Sequence, residues 1–209
     1  MSKILIVDDH PVIRMAVRSL LENEGHQVVA ETDNGIDALD LAREFQPDLI
    51  VLDLTIPKLD GLEVIARFRA LDVPMHVLVF TSHSPKHFAR RSKNVGASGY
   101  IWKQGELSEL VAAVKAVLSG YTYFPNFAVL GGQPGEGGEA EQLARLSNRE
   151  MTVLQNLAQG KLNKDIAEHM LLSDKTVSTY KNRLLTKLNM HSLLDLIEFA
   201  KRNGVGGHE

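Results

Sequence analysis

A chain of 209 residues, 44% hydrophobic and 23% charged, has room for two ordinary globular domains, and a net charge of −3 makes it neither strongly basic nor strongly acidic. The absence of cysteine excludes a disulfide framework and thiolate metal sites. No apolar run reaches the length of a membrane span, and Met1-Ser2-Lys3-Ile4-Leu5 enters a strand pattern without the layout of a signal peptide, so a cytoplasmic protein with no membrane partner is expected.

From residue 3 to 119, apolar strand runs alternate with amphipathic helix patterns. Strands are predicted at 3–8, 27–31, 48–53, 75–80 and 99–102. Between them, Val12/Ile13, Ala16/Val17 and Leu20/Leu21 form one helical stripe, closed by Gly25. Ile36, Leu39, Ala42 and Phe45 form a second, and Leu62, Ile65 and Phe68 a third. The fourth, around 84–94, is the least apolar; the last runs from Leu107 to Leu118 and ends at Gly120. Strands that alternate with helices pair in parallel through right-handed crossovers, so an α/β fold with a five-stranded parallel sheet is predicted.

The strand ends carry the chemistry. The first run ends in Asp8-Asp9, the third in Asp53, the fourth in Thr81-Ser82, and Lys103 follows the fifth. Each alone is ordinary: an Asp after a strand is more often a turn former or helix cap. In a sheet of order 2-1-3-4-5 the first and third strands are neighbours at the switch point, which brings Asp8, Asp9 and Asp53 together. Close anions repel, and a divalent cation among them relieves the cost; carboxylate-rich oxygen ligation suits Mg²⁺. With the cation of Lys103 and the hydroxyl of Thr81, the edge complements a phosphoryl group. His83 and His87, four residues apart, lack a third ligand and are expected on a plain surface.

Through Asp8-Asp9-His10-Pro11, Asp53, Pro57…Asp60-Gly61, Thr81, Gly96-Ala97 and Tyr100…Lys103, the first half resembles the receiver domain of two-component response regulators. The resemblance implies that Asp53 is the phosphoacceptor. It further implies Mg²⁺ bound by Asp9, Asp53 and the backbone carbonyl of Thr55, with Asp8 holding a metal-bound water. Lys103 would pair with the phosphate, while Thr81 and Tyr100 would act as the switch. Gln104 stands where many receivers have a proline after the lysine, which leaves the backbone at Lys103-Gln104 open.

Five of the nine residues from Gly131 to Glu139 are glycine, too little to order by burial, so a flexible linker is predicted over 125–142, between a receiver at 1–124 and a second domain at 143–209. The aromatic stretch Tyr121–Pro125 ahead of it is expected to pack back on the receiver. Ser147-Asn148-Arg149-Glu150 is a capping box before an apolar helix pattern that Gly160 ends. Asn163 is expected to cap a short helix, and Ser173 a third over 174–188 with Val177, Leu184, Leu185 and Leu188 inward. Two short helices around a tight turn make a helix-turn-helix within an all-α, four-helix domain. Charge is uneven: residues 1–125 carry 13 Lys/Arg against 16 Asp/Glu, residues 141–209 carry 10 against 8. By charge alone that is an ordinary solvated surface, but no acid lies between Asp174 and Asp195.

This half resembles the LuxR/NarL-type DNA-binding domain through Leu146–Glu150, Asn163-Lys164-Asp165-Ile166-Ala167 and Lys175-Thr176-Val177-Ser178-Thr179-Tyr180. The resemblance implies base contacts from Ser178, Thr179 and Asn182 and phosphate contacts from Lys175, Lys181, Arg183 and Lys187, with Thr176 in the same interface. The family often has lysines where Ser178 and Asn182 stand, which leaves the target sequence open. The last helix, with Leu193, Leu194, Leu196, Ile197, Phe199 and Ala200, is apolar over too wide an arc for one buried stripe, and a homodimer is expected. Both halves together resemble the NarL/FixJ class of response regulators, nearest its BvgA/EvgA-like subgroup. That implies a transcriptional regulator, not a metabolic enzyme, phosphorylated by a sensor histidine kinase or a histidine phosphotransfer protein. Its further partners would be promoter DNA and RNA polymerase. A hydrolase with an aspartyl nucleophile is the rival, but it needs a second Asp where Thr55 stands. The other rival is an interaction module that is never phosphorylated.

Overall fold

The computed structural model describes residues 1–71, 74–125 and 138–206, and the chain divides into two compact units, Met1–Gly131 and Gly132–Glu209. The glycine-rich stretch 131–137 lies outside the described residues.

The first unit runs β1 (Lys3–Val7), α1 (Pro11–Asn23), β2 (Gln27–Thr32), α2 (Gly35–Phe45), β3 (Leu49–Leu52), α3 (Gly61–Ala70), β4 (His76–Thr81), α4 (Pro85–Asn94), β5 (Gly99–Trp102) and α5 (Leu107–Leu118). The strands form one parallel sheet of order β2-β1-β3-β4-β5, as the sequence predicts. Successive side chains of a strand point to opposite faces. Ile4, Ile6, Leu49, Val51, Leu78, Phe80 and Ile101 share one core with Val17 and Leu21 of α1 and Leu110, Val114 and Val117 of α5. Their alternates Leu5, Val7, Ile50, Leu52, Val77, Val79 and Tyr100 are equally buried. A sheet buried on both faces explains the unbroken apolar runs of its inner strands.

Local signals set the helix starts. Pro11 and Pro85 occupy the first turns of α1 and α4, Asn34 Oδ1 accepts from the backbone of Ile36 and Asp37, and Asp60 Oδ1 accepts from Leu62. The weakly apolar 84–94 pattern is α4, held by Phe88 and Ala89. Residues after α5 return along the sheet edge: Tyr123 bridges Gly99, accepting from Tyr100 N at 2.7 Å and donating to Ser98 O at 3.0 Å. The sheet edge is thereby covered. Tyr121 remains 72% exposed, so only part of the aromatic stretch packs back.

The second unit contains α6 (Glu139–Ala144), α7 (Asn148–Ala158), α8 (Asn163–Met170), α9 (Asp174–Leu188) and α10 (Leu193–Arg202). The short α6 begins within the last residues of the stretch assigned from sequence to the linker, 125–142; Glu139 accepts from Arg202 and Asn203 of the same unit. The capping box is formed: Ser147 Oγ accepts from Glu150 N, and Glu150 Oε2 accepts from Ser147 N at 2.7 Å. Ser173 caps α9 as predicted. Asn163 does not cap α8: it is the first helical residue, and Leu162 occupies the cap position, its N–H taken by Asp165 at 3.2 Å. The core of this unit is built from Val153, Leu154 and Leu157 of α7, Ile166 of α8, Val177, Leu184 and Leu188 of α9, and Leu196 and Phe199 of α10. Among the described residues, no helix is long and apolar enough to cross a membrane.

Candidate functional site

The carboxyl edge of the sheet gathers the strand-end residues because the parallel ladder continues one residue past each strand. Asp8 N donates to Thr32 O at 3.1 Å, Asp53 N to Val7 O at 2.8 Å and Lys103 N to Thr81 O at 2.8 Å. Asp8 and Asp53 therefore stand side by side, each 2% exposed. The loop after Asp53 folds back tightly: a side chain at Gly61 would meet Leu54 Cα at 2.6 Å and Asp53 O at 2.7 Å, which explains the glycine.

Lys103 Nζ lies 2.6 Å from Asp8 Oδ2 and 2.6 Å from Asp53 Oδ2. Burial, then the charge of Asp53, raises the Asp8 pKa above its ordinary value, and Lys103 offsets this only in part. Burial also disfavours the Lys103 ammonium, yet Asp53 and Asp8 outweigh it and hold the pKa above the ordinary value. The cluster is thus short of positive charge. One donor atom each from Asp8, Asp9, His10 and Asp53 lies within 4.8 Å of all the others. Ligands about 2.1 Å from an octahedral ion stand about 3–4.2 Å apart, close to this spacing. Asp9 Oδ1 is buried without a hydrogen-bond partner. The acidic pocket is compatible with a divalent cation.

Thr81 is fully buried, and its Oγ1 accepts from His83 N at 3.4 Å. Tyr100 is turned inward, 1% exposed, and its hydroxyl donates to His83 O at 2.8 Å. Burial first, and Asp53 second, push that hydroxyl well above its ordinary pKa, so it remains a donor. The Thr55 hydroxyl meets His83 Nε2 at 2.6 Å, and Thr55 N donates to Asp53 Oδ1 at 3.2 Å. His83 is therefore no surface residue, contrary to expectation: it precedes α4, is 4% exposed and stacks on Phe88. It links the loop after Asp53 to both Thr81 and Tyr100. The peptide at Lys103-Gln104 is trans, since no cis bond occurs among the described residues.

Sequence reasoning gave no role to His83, His10 or Arg14. Arg14, one turn into α1, donates to Asp8 O at 2.6 Å and pins the Asp8-Asp9 turn. His10 directly follows the acidic pair, and His83 lies two residues after Thr81; both adjacencies were signals open to reading.

In the helical unit, Lys175, Thr179, Asn182, Arg183 and Lys187 of α9 are exposed, and Thr176, Ser178 and Lys181 half-buried. Thr179 Oγ1 donates to Lys175 O at 2.9 Å, and the exposed hydroxyl can still accept. Asn163 Nδ2 donates to Ser178 Oγ at 3.2 Å across the two helices of the turn. Lys187 Nζ instead lies 2.8 Å from the buried Glu150 Oε2. Burial would raise the Glu150 pKa, but bonds from Lys187 and Ser147 together bring it below the ordinary value. Glu150, Thr179, Asn182, Arg183, Thr186 and Lys187 line one shallow groove beside α9.

Comparison with known proteins agrees with both halves. Residues 4–115 match the response regulator receiver domain, and residues 144–200 match the bacterial regulatory proteins of the luxR family. The chain belongs to the response regulators that join a receiver to a LuxR-type DNA-binding domain. It is 56% identical over 206 residues to the virulence-factor transcription regulator BvgA of Bordetella pertussis, covering 98% of this chain and 99% of that one. It is 34% identical over 202 residues to the DNA-binding transcriptional activator EvgA of Escherichia coli K12, covering 97% and 98% of the two chains. The response regulator RcsB of Salmonella typhimurium matches with a TM-score of 0.69 at 25% identity, over 96% of this chain and 97% of that one.

Proposed function

We propose that this regulator is switched by phosphorylation of Asp53 and acts on promoter DNA as a homodimer. In this reading an oxygen of Asp53 attacks the phosphorus of a phosphohistidine on a sensor histidine kinase or histidine phosphotransfer protein. The N–P bond breaks, the imidazole leaves and takes up a proton, and an acyl phosphate forms. Asp9, Asp53 and the Thr55 carbonyl would hold Mg²⁺, with Asp8 holding a metal-bound water, and the ion would neutralise charge on the transferring group. Lys103 pairs with the phosphoryl oxygens, and Thr81 and Tyr100 carry the state of Asp53 to the α4–β5–α5 surface. A shift follows only if the phosphorylated form makes contacts the other lacks, which the Thr81 hydroxyl can supply.

In the second domain, taken as 143–209 after a linker at 125–142, α9 lies in the major groove. Ser178, Thr179 and Asn182 face base edges; Lys175, Thr176, Lys181, Arg183 and Lys187 serve the phosphate backbone. Leu193 and Leu194, exposed by 40% and 64% on α10, are the dimer contact. Promoter-bound dimers then engage RNA polymerase in the cytoplasm. The relatives named as transcription regulators support this reading.

The observation that carries it is the buried Asp53 carboxylate, joined to Asp8 through Lys103, at an edge short of positive charge. The test is incubation with acetyl phosphate and Mg²⁺, followed by phosphate-affinity electrophoresis. One phosphorylated species is expected, absent in Asp53→Asn and without Mg²⁺. No species in the wild type would overturn the reading.

A further inference from the structure

We infer that His83 is a positioning residue: by the bond of its ring to Thr55 it holds Tyr100 inward while Asp53 is still paired with Lys103. Its part in signalling rests on the switch proposed above. The loop between β4 and α4, residues 82–84, is gripped from several sides. Trp102 Nε1 donates to Ser82 O at 3.2 Å, and the Tyr100 hydroxyl donates to His83 O at 2.8 Å. Thr81 Oγ1 accepts from His83 N at 3.4 Å, a long bond. The ring makes the short tie, 2.6 Å from Nε2 to the Thr55 hydroxyl, and Phe88 of α4 stacks on its face with centroids 4.2 Å apart.

Thr55 in turn belongs to the loop after Asp53, and its N–H donates to Asp53 Oδ1 at 3.2 Å. A continuous path thus runs from Asp53 through Thr55 and His83 to Tyr100. Tyr100 depends on its far end. The residue is 1% exposed, and a buried hydroxyl without an acceptor is costly. His83 O is that acceptor, so the inward ring is stable only while the loop keeps this carbonyl in place. An outward ring finds water instead. The Asp53 carboxylate is meanwhile 2.6 Å from Lys103 Nζ, so the inward ring does not require the lysine to be engaged elsewhere. A change at Asp53 that displaces Thr55 pulls on the His83 ring, and through it on Phe88 and α4. This route runs beside the one through Thr81.

The test reads Tyr100 in the full, unphosphorylated chain carrying fluorotyrosine, by fluorine NMR with saturation transfer, which detects minor states. The chain has four tyrosines, and Tyr100→Phe assigns the line. In the wild type this line should not move between light and heavy water, as a buried ring requires. Thr55→Val keeps the side-chain shape and removes the hydroxyl; it should raise the outward population on the order of tenfold. Thr55→Ser should behave as the wild type, which a loss of packing alone would not explain. His83→Leu should act like Thr55→Val, and the double variant no more strongly than either, because both remove the same bond. Thr55 is half-buried, so Thr55→Val decides the matter even where His83→Leu fails to fold. An unmoved Tyr100 in Thr55→Val, failure of Thr55→Ser to rescue, or effects that add would overturn the inference and leave the phosphoacceptor reading standing. Absence of phosphorylation by acetyl phosphate would overturn that reading and leave the hold on Tyr100 intact.

Discussion

The two units place their polar groups in opposite ways. At the sheet edge the reactive side chains are buried, Asp8 and Asp53 at 2% and Thr81 at 0% exposure, in a cluster with more negative than positive charge. On α9 the proposed DNA contacts are exposed or half-buried, and one buried polar residue beside them, Glu150 of α7, is a support bonded by Ser147 and Lys187. A group that reacts gains from low dielectric and fixed neighbours, at a cost in stability; a group that reads a surface keeps contact with water until it binds. Neutralising a buried acid should therefore have opposite effects in the two units.

The largest effect is expected from Lys103→Met, which removes the cation between two buried carboxylates. The receiver should lose about 3–5 kcal/mol, followed by urea denaturation through Trp102, the one tryptophan of the chain. Without Lys103 the folded-state pKa of Asp8, already raised, rises further. A raised carboxyl pKa makes the folded state bind more protons, so the loss should shrink as pH falls from 8 to 5. A loss that grows on acidification would break the comparison.

Next is Glu150→Gln, which removes the charge that Lys187 pairs with and weakens both bonds Glu150 Oε2 accepts. A loss of about 1–2 kcal/mol is expected in thermal melting followed by circular dichroism. Lys187 is 45% exposed, so its Coulomb share is small. The folded pKa of Glu150 lies below 4.5. Its stabilisation is thus full above that pH and lost as pH falls through the folded value; the variant should lack this step.

Asp8→Asn should act in the other direction. The Asp8 pKa is raised, so its charge costs stability at neutral pH. Asparagine removes that charge and keeps an oxygen for the His10 N–H, and a gain on the order of 1 kcal/mol is expected in the same urea assay. A loss would mean that the Lys103 bond outweighs repulsion and desolvation.

The same contrast explains what was legible from sequence. The parallel pairing followed from period, and, given a sheet of order 2-1-3-4-5, so did the gathering of Asp8, Asp53, Thr81 and Lys103, because a parallel sheet leaves little choice of where its strand ends point. The outward face of α9 followed from helical period in the same way. Pairings across elements did not follow, since residues distant in sequence meet only by packing. Lys187 looked like one more base beside DNA until Glu150, 37 positions earlier, was found against it. His83 and Thr55 are 28 apart, and nothing in either local pattern points to the other. Asn163 looked like a cap because its side chain suits one; it is instead the first helical residue, and its Nδ2 donates to Ser178 Oγ across the turn.

The smallest expected effect sharpens the comparison within α9. Lys181 and Lys187 both stand among the proposed phosphate contacts, but Lys187 is committed to Glu150. Each freely available phosphate contact contributes about 0.9 to the slope of log affinity against log salt. Lys181→Ala should therefore reduce the slope by about one and weaken all DNA sequences alike. Lys187→Ala should change the slope by clearly less, because its charge is already compensated, and should show instead the stability loss of Glu150→Gln. Thr179→Ala should leave the slope unchanged and narrow the gap between preferred and random sites, since its exposed, uncharged side chain can meet base edges. Fluorescence anisotropy across a salt series, with one specific and one random duplex, measures all three. Equal slope changes for the two lysines would make Lys187 a backbone contact after all, and would mean that Glu150 releases it when DNA binds.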